Sequence, residues 1–465
     1  MRNKFLTILI LCFSLIGNCQ TFDLNEVLIK DFQIEVQTAD FATDELIIKH
    51  NSFKNIELKK IKNKYLYLNI VKGNNLEATS GHAIHDLQNY IENRIGKNLA
   101  LAIRNKQVNI NIFSGTEDAL FQFLDLNYPK LSEVTKIPSL YEEWGIVKYL
   151  IKSNESFSTV LIHIPTSLRY AKHYATMIKQ LNNNLSENVI YDKNSYLNES
   201  LAMKQGANNI LKIINSNYSI VTFGYSDAWL KSLEKTGWIF VSKSTSIDKK
   251  TGINAELIKI QSAKSNRIKS ILLLSSSRTV WGELASMMIY PFLNKNVEQV
   301  LFMGSAGAVS DKNSIYDLSI PERFLDQSGK IDVKNYLSSY QNNIISGDKI
   351  KFGATHGNTF SPIEQNTKYL KVIHNQGIDT IDVEQSLLAR KISEYNKASG
   401  LNIKFSAINL ITDKPYVLLQ KNKSDFDLDH INRNEKNSSR AKAVEFFLET
   451  LDVNDNLKKA CIVLF

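Results

Sequence analysis

Two acidic residues in the second half of the chain, Glu384 and Asp413, have carboxyl groups of a kind that could act on a bound substrate. Asp413 follows the apolar segment Ile408–Ile411, which predicts a strand buried on both faces, as in a parallel sheet. We therefore expect its carboxyl group at the rim of a sheet, where it could donate a proton to a leaving group. The alternative is a structural role, in which Asp413 caps the turn before Lys414 and Pro415.

A run of small residues comes directly after the apolar segment Val300–Met303, and it reads Gly304, Ser305, Ala306, Gly307. This pattern predicts a short buried strand that ends in a sharp turn. The backbone N–H groups of the turn, together with the Ser305 hydroxyl, could hold a phosphate or a nucleophilic water. A tight turn that binds nothing is the other interpretation.

Four segments in chain order resemble the purine nucleoside phosphorylases and the methylthioadenosine/S-adenosylhomocysteine nucleosidases. They correspond to the glycine-rich loop, the second strand, the ribose signature and the acidic signature of that superfamily, and they are 304–309, Asp317–Pro321, Ile381–Gln385 and Leu410–Asp413. The resemblance extends from about Ser219 to Leu448. It implies an α/β fold for this half, a nucleoside-phosphorylase-like three-layer domain with a mixed, mostly parallel, partly barrel-like sheet.

The same resemblance implies a role for each matching residue. Asp413 would protonate a purine nitrogen, and Glu384 would accept hydrogen bonds from the two ribose hydroxyls. Val383 would contact the sugar, and Phe360, just before Ser-Pro, would stack on the base. For Glu384 an ion pair with Arg390 is the alternative, and for Phe360 ordinary core packing.

The chain departs from both enzyme classes at the nucleophile. The phosphorylase arginines are absent from the matching positions, one of which is Phe302, and this favours hydrolysis; Arg278 could replace the missing charge or be an exposed loop residue. The glutamate that activates water in the hydrolases aligns with Trp229, so the nearest carboxylate, Asp227, is a tentative base. We therefore expect a nucleosidase, with a phosphorylase or an inactive nucleoside-binding module as alternatives.

The amino-terminal residues have the pattern of a signal peptide. Arg2 and Lys4 precede the apolar run Phe5–Ile16, which is too short to span a membrane comfortably. We expect residues 1–20 to be a signal peptide and the chain to be secreted or periplasmic. Lipid anchoring at Cys19 is the alternative, although Asn18 is unusual before a lipidated cysteine.

Residues 21–217 alternate between strand-like and helix-like segments and predict an α/β domain that resembles no family we recognise. The apolar spacing in Leu140–Ile151 predicts an amphipathic helix there. Residues 218–450 would form the nucleoside-phosphorylase-like domain and 451–465 a C-terminal tail.

The composition gives no sign of other partners. The formal net charge of +9 is spread along the chain, which favours a solvated surface over nucleic-acid binding. We expect no further membrane span and no cofactor. His82 and His85 lack the companions of a metal site, so we expect no metal. A homo-oligomer is implied only by the resemblance.

Overall fold

The computed structural model of the chain describes residues 66–69, 87–127, 133–137, 146–152, 158–164, 168–182, 188–191, 193–214, 217–277, 280–326, 329–331, 333–341, 349–359, 361–365, 367–416 and 433–463. Several predictions of the sequence lie outside these residues: the signal peptide with Cys19, the histidines 82 and 85, Arg278 and Phe360.

The first half of the chain forms a six-stranded sheet. Its strands are β1 (Leu66–Asn69), β2 (Val108–Ser114), β3 (Glu133–Ile137), β4 (Val147–Lys152), β5 (Ser158–Ile164) and β6 (Asn188–Tyr191). They lie in the order β1-β6-β2-β5-β4-β3, with the central pairs β6–β2 and β2–β5 parallel and the others antiparallel. Its helices are α1 (Leu87–Ile95), α2 (Lys97–Arg104), α3 (Glu117–Asn127), α4 (Leu168–Leu181) and α5 (Lys193–Ile213).

The helix predicted for Leu140–Ile151 is wrong over the part that the structure describes, which begins at residue 146. Strand β4 occupies Val147–Lys152 and pairs with antiparallel neighbours on both sides. The apolar residues of a short segment can fit both periods, and here pairing to two strands outweighs the helical spacing.

The second half forms a ten-stranded sheet. Its strands are β7 (Ile220–Phe223), β8 (Trp238–Asp248), β9 (Ile253–Ser262), β10 (Ile268–Ser276), β11 (Gln299–Ala308), β12 (Leu318–Asp326), β13 (Gly329–Lys330), β14 (Ile350–Asn358), β15 (Thr380–Asp382) and β16 (Lys404–Asp413). The helices are α6 (Trp229–Thr236), α7 (Glu283–Ile289), α8 (Thr367–Asn375), α9 (Gln385–Ser399) and α10 (Arg433–Val463). Helix α10 runs through most of the predicted C-terminal tail.

Five of these strands close into a ring. Strand β16 pairs with both β11 and β12, and the circuit continues through β14 and β15 back to β11. Among the described pairings of this sheet, five are parallel and five antiparallel. The sheet is therefore mixed, as the resemblance implied, but parallel pairs do not predominate among the described pairings.

Strand β11 does not end at Gly304 as the sequence predicts. It continues to Ala308, because Gly304–Ala306 pair in parallel with β16 and a bulge follows before Gly307. The small residues thus form the last part of a strand rather than a loop.

The two halves share one core. A continuous group of buried apolar side chains includes Ile178 and Ile210 from the first half and Val221, Leu272 and Val300 from the second. Helix α5 also lies against the turn between β8 and β9. A methyl group added at Gly206 of that helix would be 2.8 Å from the Asp248 and Thr251 side chains.

Candidate functional site

A cavity of about 350 Å³ opens where β11 lacks a neighbouring strand on one side. Strand β7 pairs with β11 up to Phe302, and β15 pairs with it from Gly307 onwards. Between these points only β16, on the other side, pairs with β11 among the described strands. The cavity is lined by Tyr90, Phe223, Val280, Trp281, Phe302, Met303, Gly304, Ser305, Ala306, Gly307, Pro362, Gln365, Ile381, Asp382, Val383, Glu384, Thr412 and Asp413.

Asp413 is the last residue of β16, and its half-buried carboxyl group lies beside Gly307. A methyl group at Gly307 would be 3.1 Å from Oδ2 of Asp413, so the glycine makes room for this carboxyl group. The Thr412 hydroxyl donates a hydrogen bond to Oδ1 of Asp413 at 3.0 Å. The carboxyl group is thus held at the bulge of β11, at the wall of the cavity.

Glu384 lies at the turn between β15 and α9, and it too is half-buried in the cavity wall. The position of this turn is fixed by Asp382, whose carboxylate accepts hydrogen bonds from the backbone N–H groups of Glu384 (3.2 Å) and Gln385 (3.0 Å). An anionic oxygen at a helix start satisfies amides that lack intrahelical partners. Arg390, considered as a partner for Glu384, donates from Nη2 to Asp326 at 2.7 Å.

A buried polar network lies behind this turn. The Nε2 atom of His356 is 3.0 Å from Oδ1 of Asp382, although the two are not aligned as a hydrogen bond. Nδ1 of the same ring lies 2.9 Å from the Thr380 hydroxyl and 3.2 Å from the Asn409 amide. The Asn409 and Gln385 side chains exchange two hydrogen bonds of 2.7 and 3.0 Å. This network ties strands β14, β15 and β16 to the start of α9 and so orients Glu384.

Tyr225, two residues after the end of β7, contacts the other end of the small-residue stretch. Its hydroxyl donates a hydrogen bond to the Gly304 carbonyl at 2.6 Å. Burial raises the pKa of this phenol to about 12, while the Arg440 guanidinium, 5.0 Å from the ring centroid, acts in the opposite direction. The tyrosine is therefore neutral and a hydrogen-bond donor at ordinary pH.

Asp227, the tentative base, is not brought to the cavity. Tyr225 has a left-handed backbone (φ 54°), after which Ser226–Ala228 form a short 3-10 helix that leaves the Asp227 side chain exposed. The aligned residue Trp229 is fully buried and packs edge-on against Phe447. This placement argues against Asp227 as a base.

The cavity does bring together the remaining predicted residues that the structure describes. These are Gly304, Ser305, Ala306, Gly307, Val383, Glu384 and Asp413. Sequence reasoning missed several lining residues, among them Tyr90, Trp281, Gln365 and Asp382. Asp382 stands inside the quoted ribose signature and could have been found as a helix-capping residue, whereas no sequence signal points to Tyr90.

The electrostatic character of the cavity follows from this lining. It contains three carboxylates, two hydroxyl side chains of Ser305 and Thr412, and aromatic surface, but no lysine or arginine among the residues that the structure describes. Such a wall suits an uncharged ligand with hydroxyl groups and an apolar body. In the described part of the chain, no cluster of three or more His, Cys, Asp or Glu side chains could hold a metal ion, and no helix is long and apolar enough to cross a bilayer.

Comparison with known proteins gives similarity to solved structures only. No protein-family model and no curated protein sequence matches the chain. Similar solved structures include a methylthioadenosine phosphorylase from an antarctic soil metagenomic library, with 13% identity over 52% of this chain and 88% of that chain and a TM-score of 0.37. A methylthioadenosine/S-adenosylhomocysteine nucleosidase from S. pneumoniae has 12% identity over 50% of this chain and 99% of its own, with a TM-score of 0.37.

A third similar structure is isoform 2 of purine nucleoside phosphorylase from Schistosoma mansoni, with 12% identity over 53% of this chain and 94% of its own and a TM-score of 0.35. The likeness is one of fold alone. It covers about half of this chain.

Proposed function

We propose that the protein hydrolyses the N-glycosidic bond of a purine nucleoside or of a 5′-thioether nucleoside. The observation that carries this proposal is that Glu384 and Asp413, 29 positions apart in the printed sequence, line one cavity together with Ser305. A sugar clamp, a proton donor and a hydroxyl group beside an open strand edge are what cleavage of this bond requires.

In this mechanism Asp413 donates its proton to a purine nitrogen as the bond between that nitrogen and the sugar carbon C1′ breaks. Glu384 accepts hydrogen bonds from the ribose hydroxyls, and its negative charge stabilises the positive charge that develops on the sugar. Water held near Ser305 then forms the new bond to C1′. Its proton passes to the Asp413 carboxylate, which restores the acid and balances the reaction.

The test is an incubation of the purified protein with a panel of purine nucleosides, with and without phosphate, followed by chromatography. We expect free base and free ribose, independent of phosphate, and loss of activity in Asp413→Asn at unchanged melting temperature. Full activity in Asp413→Asn would refute the assignment of the acid. Asp125→Asn, at an exposed carboxylate outside the cavity, is the matched control.

Phosphorolysis is less well supported, because no cation lines the described part of the cavity. Arg278, outside the described residues, is the candidate that would supply one. Turnover that depends on phosphate and falls in Arg278→Ala would favour this alternative.

Binding without catalysis is a second candidate, and the exposed position of Asp227 favours it. A site with Glu384 and Asp413 but without a base for water could retain a nucleoside and leave it intact. Calorimetric binding of a nucleoside with no base released over many hours would select this function over hydrolysis.

A further inference from the structure

One wall of the cavity comes from the first half of the chain. Tyr90 of helix α1 lines the cavity beside Val280, Trp281 and Pro362 of the second half. These four side chains carry no charge, and three of them present apolar or aromatic surface alone. The wall therefore differs in chemistry from the stretch that carries Glu384.

Tyr90 is held in this position by buried contacts. Its hydroxyl lies 3.2 Å from Nε2 of His173 on helix α4, and the His173 side chain is only 1% exposed. Nδ1 of the same imidazole lies 3.4 Å from the Ser361 hydroxyl in the second half. The Arg94 guanidinium lies 3.5 Å from the centre of the Tyr90 ring on the same helix. The ring is thus fixed before any ligand arrives.

Trp281 belongs to the same cluster. Its ring centre is 5.1 Å from that of His173 and 4.2 Å from that of Tyr170, both edge-on. His173 therefore connects the two aromatic residues of the wall, one from each half of the chain. An aromatic surface that is preorganised in this way favours apolar and polarisable groups, because little side-chain entropy is lost on binding.

We propose that Tyr90 and Trp281 form an aromatic subsite that binds an uncharged, apolar part of the substrate. The inference rests on the proposed function and extends it: the first half of the chain completes the substrate site. The apolar group is either a thioether at the 5′ position, which makes favourable contacts with aromatic rings, or the face of the purine itself. A charged substituent would lose its hydration here, since Tyr90, Val280, Trp281 and Pro362 themselves carry no charge.

The experiment compares Tyr90→Ala with Tyr340→Ala in the full-length protein. Both tyrosines are 3% exposed, but Tyr340 does not line the cavity, so it controls for loss of a buried ring. We expect kcat/KM of Tyr90→Ala to fall about tenfold or more, mainly through KM, with little change in the control. A larger loss for 5′-methylthioadenosine than for adenosine assigns the wall to the thioether, and equal losses assign it to the purine.

Equal kinetics of Tyr90→Ala and Tyr340→Ala on both nucleosides would overturn the subsite. If Tyr90→Ala does not fold, Val280→Glu at a half-buried wall position introduces a charge without removing a buried ring, and we expect the same loss. Tyr90→Phe keeps the aromatic ring, so we expect it to keep the wild-type ratio of the kcat/KM values for the two nucleosides.

Binding measured by calorimetry tests the aromatic subsite independently of whether the protein hydrolyses the nucleoside. If the wild-type protein releases no base, hydrolysis is refuted, but the affinities of wild type and Tyr90→Ala for adenosine and 5′-methylthioadenosine still measure the subsite. Weaker binding by Tyr90→Ala alone would support it. No binding of either nucleoside by the wild type would overturn it.

Discussion

Asp382 connects the buried network to the cavity at the level of a single residue. Its carboxylate receives two backbone N–H groups at the start of α9 and lies 3.0 Å from His356 Nε2. A carboxylate with these partners has a structural role, while Glu384, two positions further along the chain, lines the cavity. Asp382 thus fixes the turn that carries Glu384.

We expect Asp382→Ala to lower both stability and affinity. Loss of the oxygen that receives the first amides of α9 should reduce the free energy of unfolding by about 1 to 2 kcal/mol, since helix-start residues contribute that much. Glu384 would also lose its fixed position, so KM for a nucleoside should rise. Urea unfolding and steady-state kinetics measure the two effects. An unchanged KM in the destabilised variant would show that Asp382 does not position Glu384.

The position of Asp413 at a strand end could be predicted from the apolar segment before it, whereas Glu384 is predicted only from the resemblance of Ile381–Gln385 to a ribose signature; both line the cavity. The same reasoning placed Asp227 poorly. The position of Asp227 depends on the left-handed backbone of Tyr225. A non-glycine residue rarely adopts this conformation, and no local sequence pattern predicts it here. The tyrosine hydroxyl bonded to Gly304, rather than an acid, occupies the contact to β11 at this point.

Strand β11 is the element on which the cavity depends. It must lie close to the turn after β7 while leaving its edge open between β7 and β15. This approach is made possible by Gly224, which has φ +95° and lies so near the Met303 carbonyl that an added methyl group would be 1.9 Å from its oxygen. No side chain fits at that distance.

We expect Gly224→Ala to destabilise the protein severely. The left-handed backbone alone costs on the order of 1 to 3 kcal/mol for a residue with a side chain, and the overlap with Met303 adds to it. Gly237→Ala is the matched control, because Gly237 also has a positive φ (+74°) but no atom within 4 Å of the added methyl group. Urea midpoints of the two variants separate strain from overlap. Equal midpoints would contradict the close approach.

The sequence predicts whether a strand exists better than it predicts where the strand ends. It indicates β11 from Val300–Met303, but its continuation to Ala308 depends on pairing with β16, which is more than 90 residues away in the printed sequence. The error in Leu140–Ile151 has the same origin. Pairing partners that are distant in the chain decide the outcome, and a local pattern does not contain them.

The whole molecule should unfold as one unit. The buried apolar group runs without interruption from α4 and α5 into β7, β10 and β11. Neither half can unfold without exposing the core of the other, so we expect a single calorimetric transition whose calorimetric and van't Hoff enthalpies agree. Two resolved transitions would contradict the shared core. A scan of wild type mixed with Tyr340→Ala shows whether the calorimeter can resolve two transitions.

Alkaline solution should destabilise the folded protein. Burial raises the pKa of Tyr225 to about 12, and burial also raises the pKa of Tyr218, Tyr395 and Tyr149. Above pH 10 the unfolded chain loses these protons while the folded chain keeps them, so stability falls as the pH rises towards 12. Between pH 9 and pH 11.5, Tyr225→Phe should reduce this decline by up to about 2 kcal/mol, because the tyrosine of the unfolded chain ionises above pH 10 and one full pKa unit corresponds to about 1.4 kcal/mol. Equal declines in urea titrations at pH 9 and pH 11.5 would refute the assignment.

A pocket with walls from both halves has a consequence for how the molecule responds to its surroundings. A ligand bound between Tyr90 and Glu384 contacts both halves of the chain at once and therefore stabilises their association. Ligand binding would make local opening of either half less frequent. The rate of proteolysis at sites far from the ligand should therefore fall when the ligand is bound.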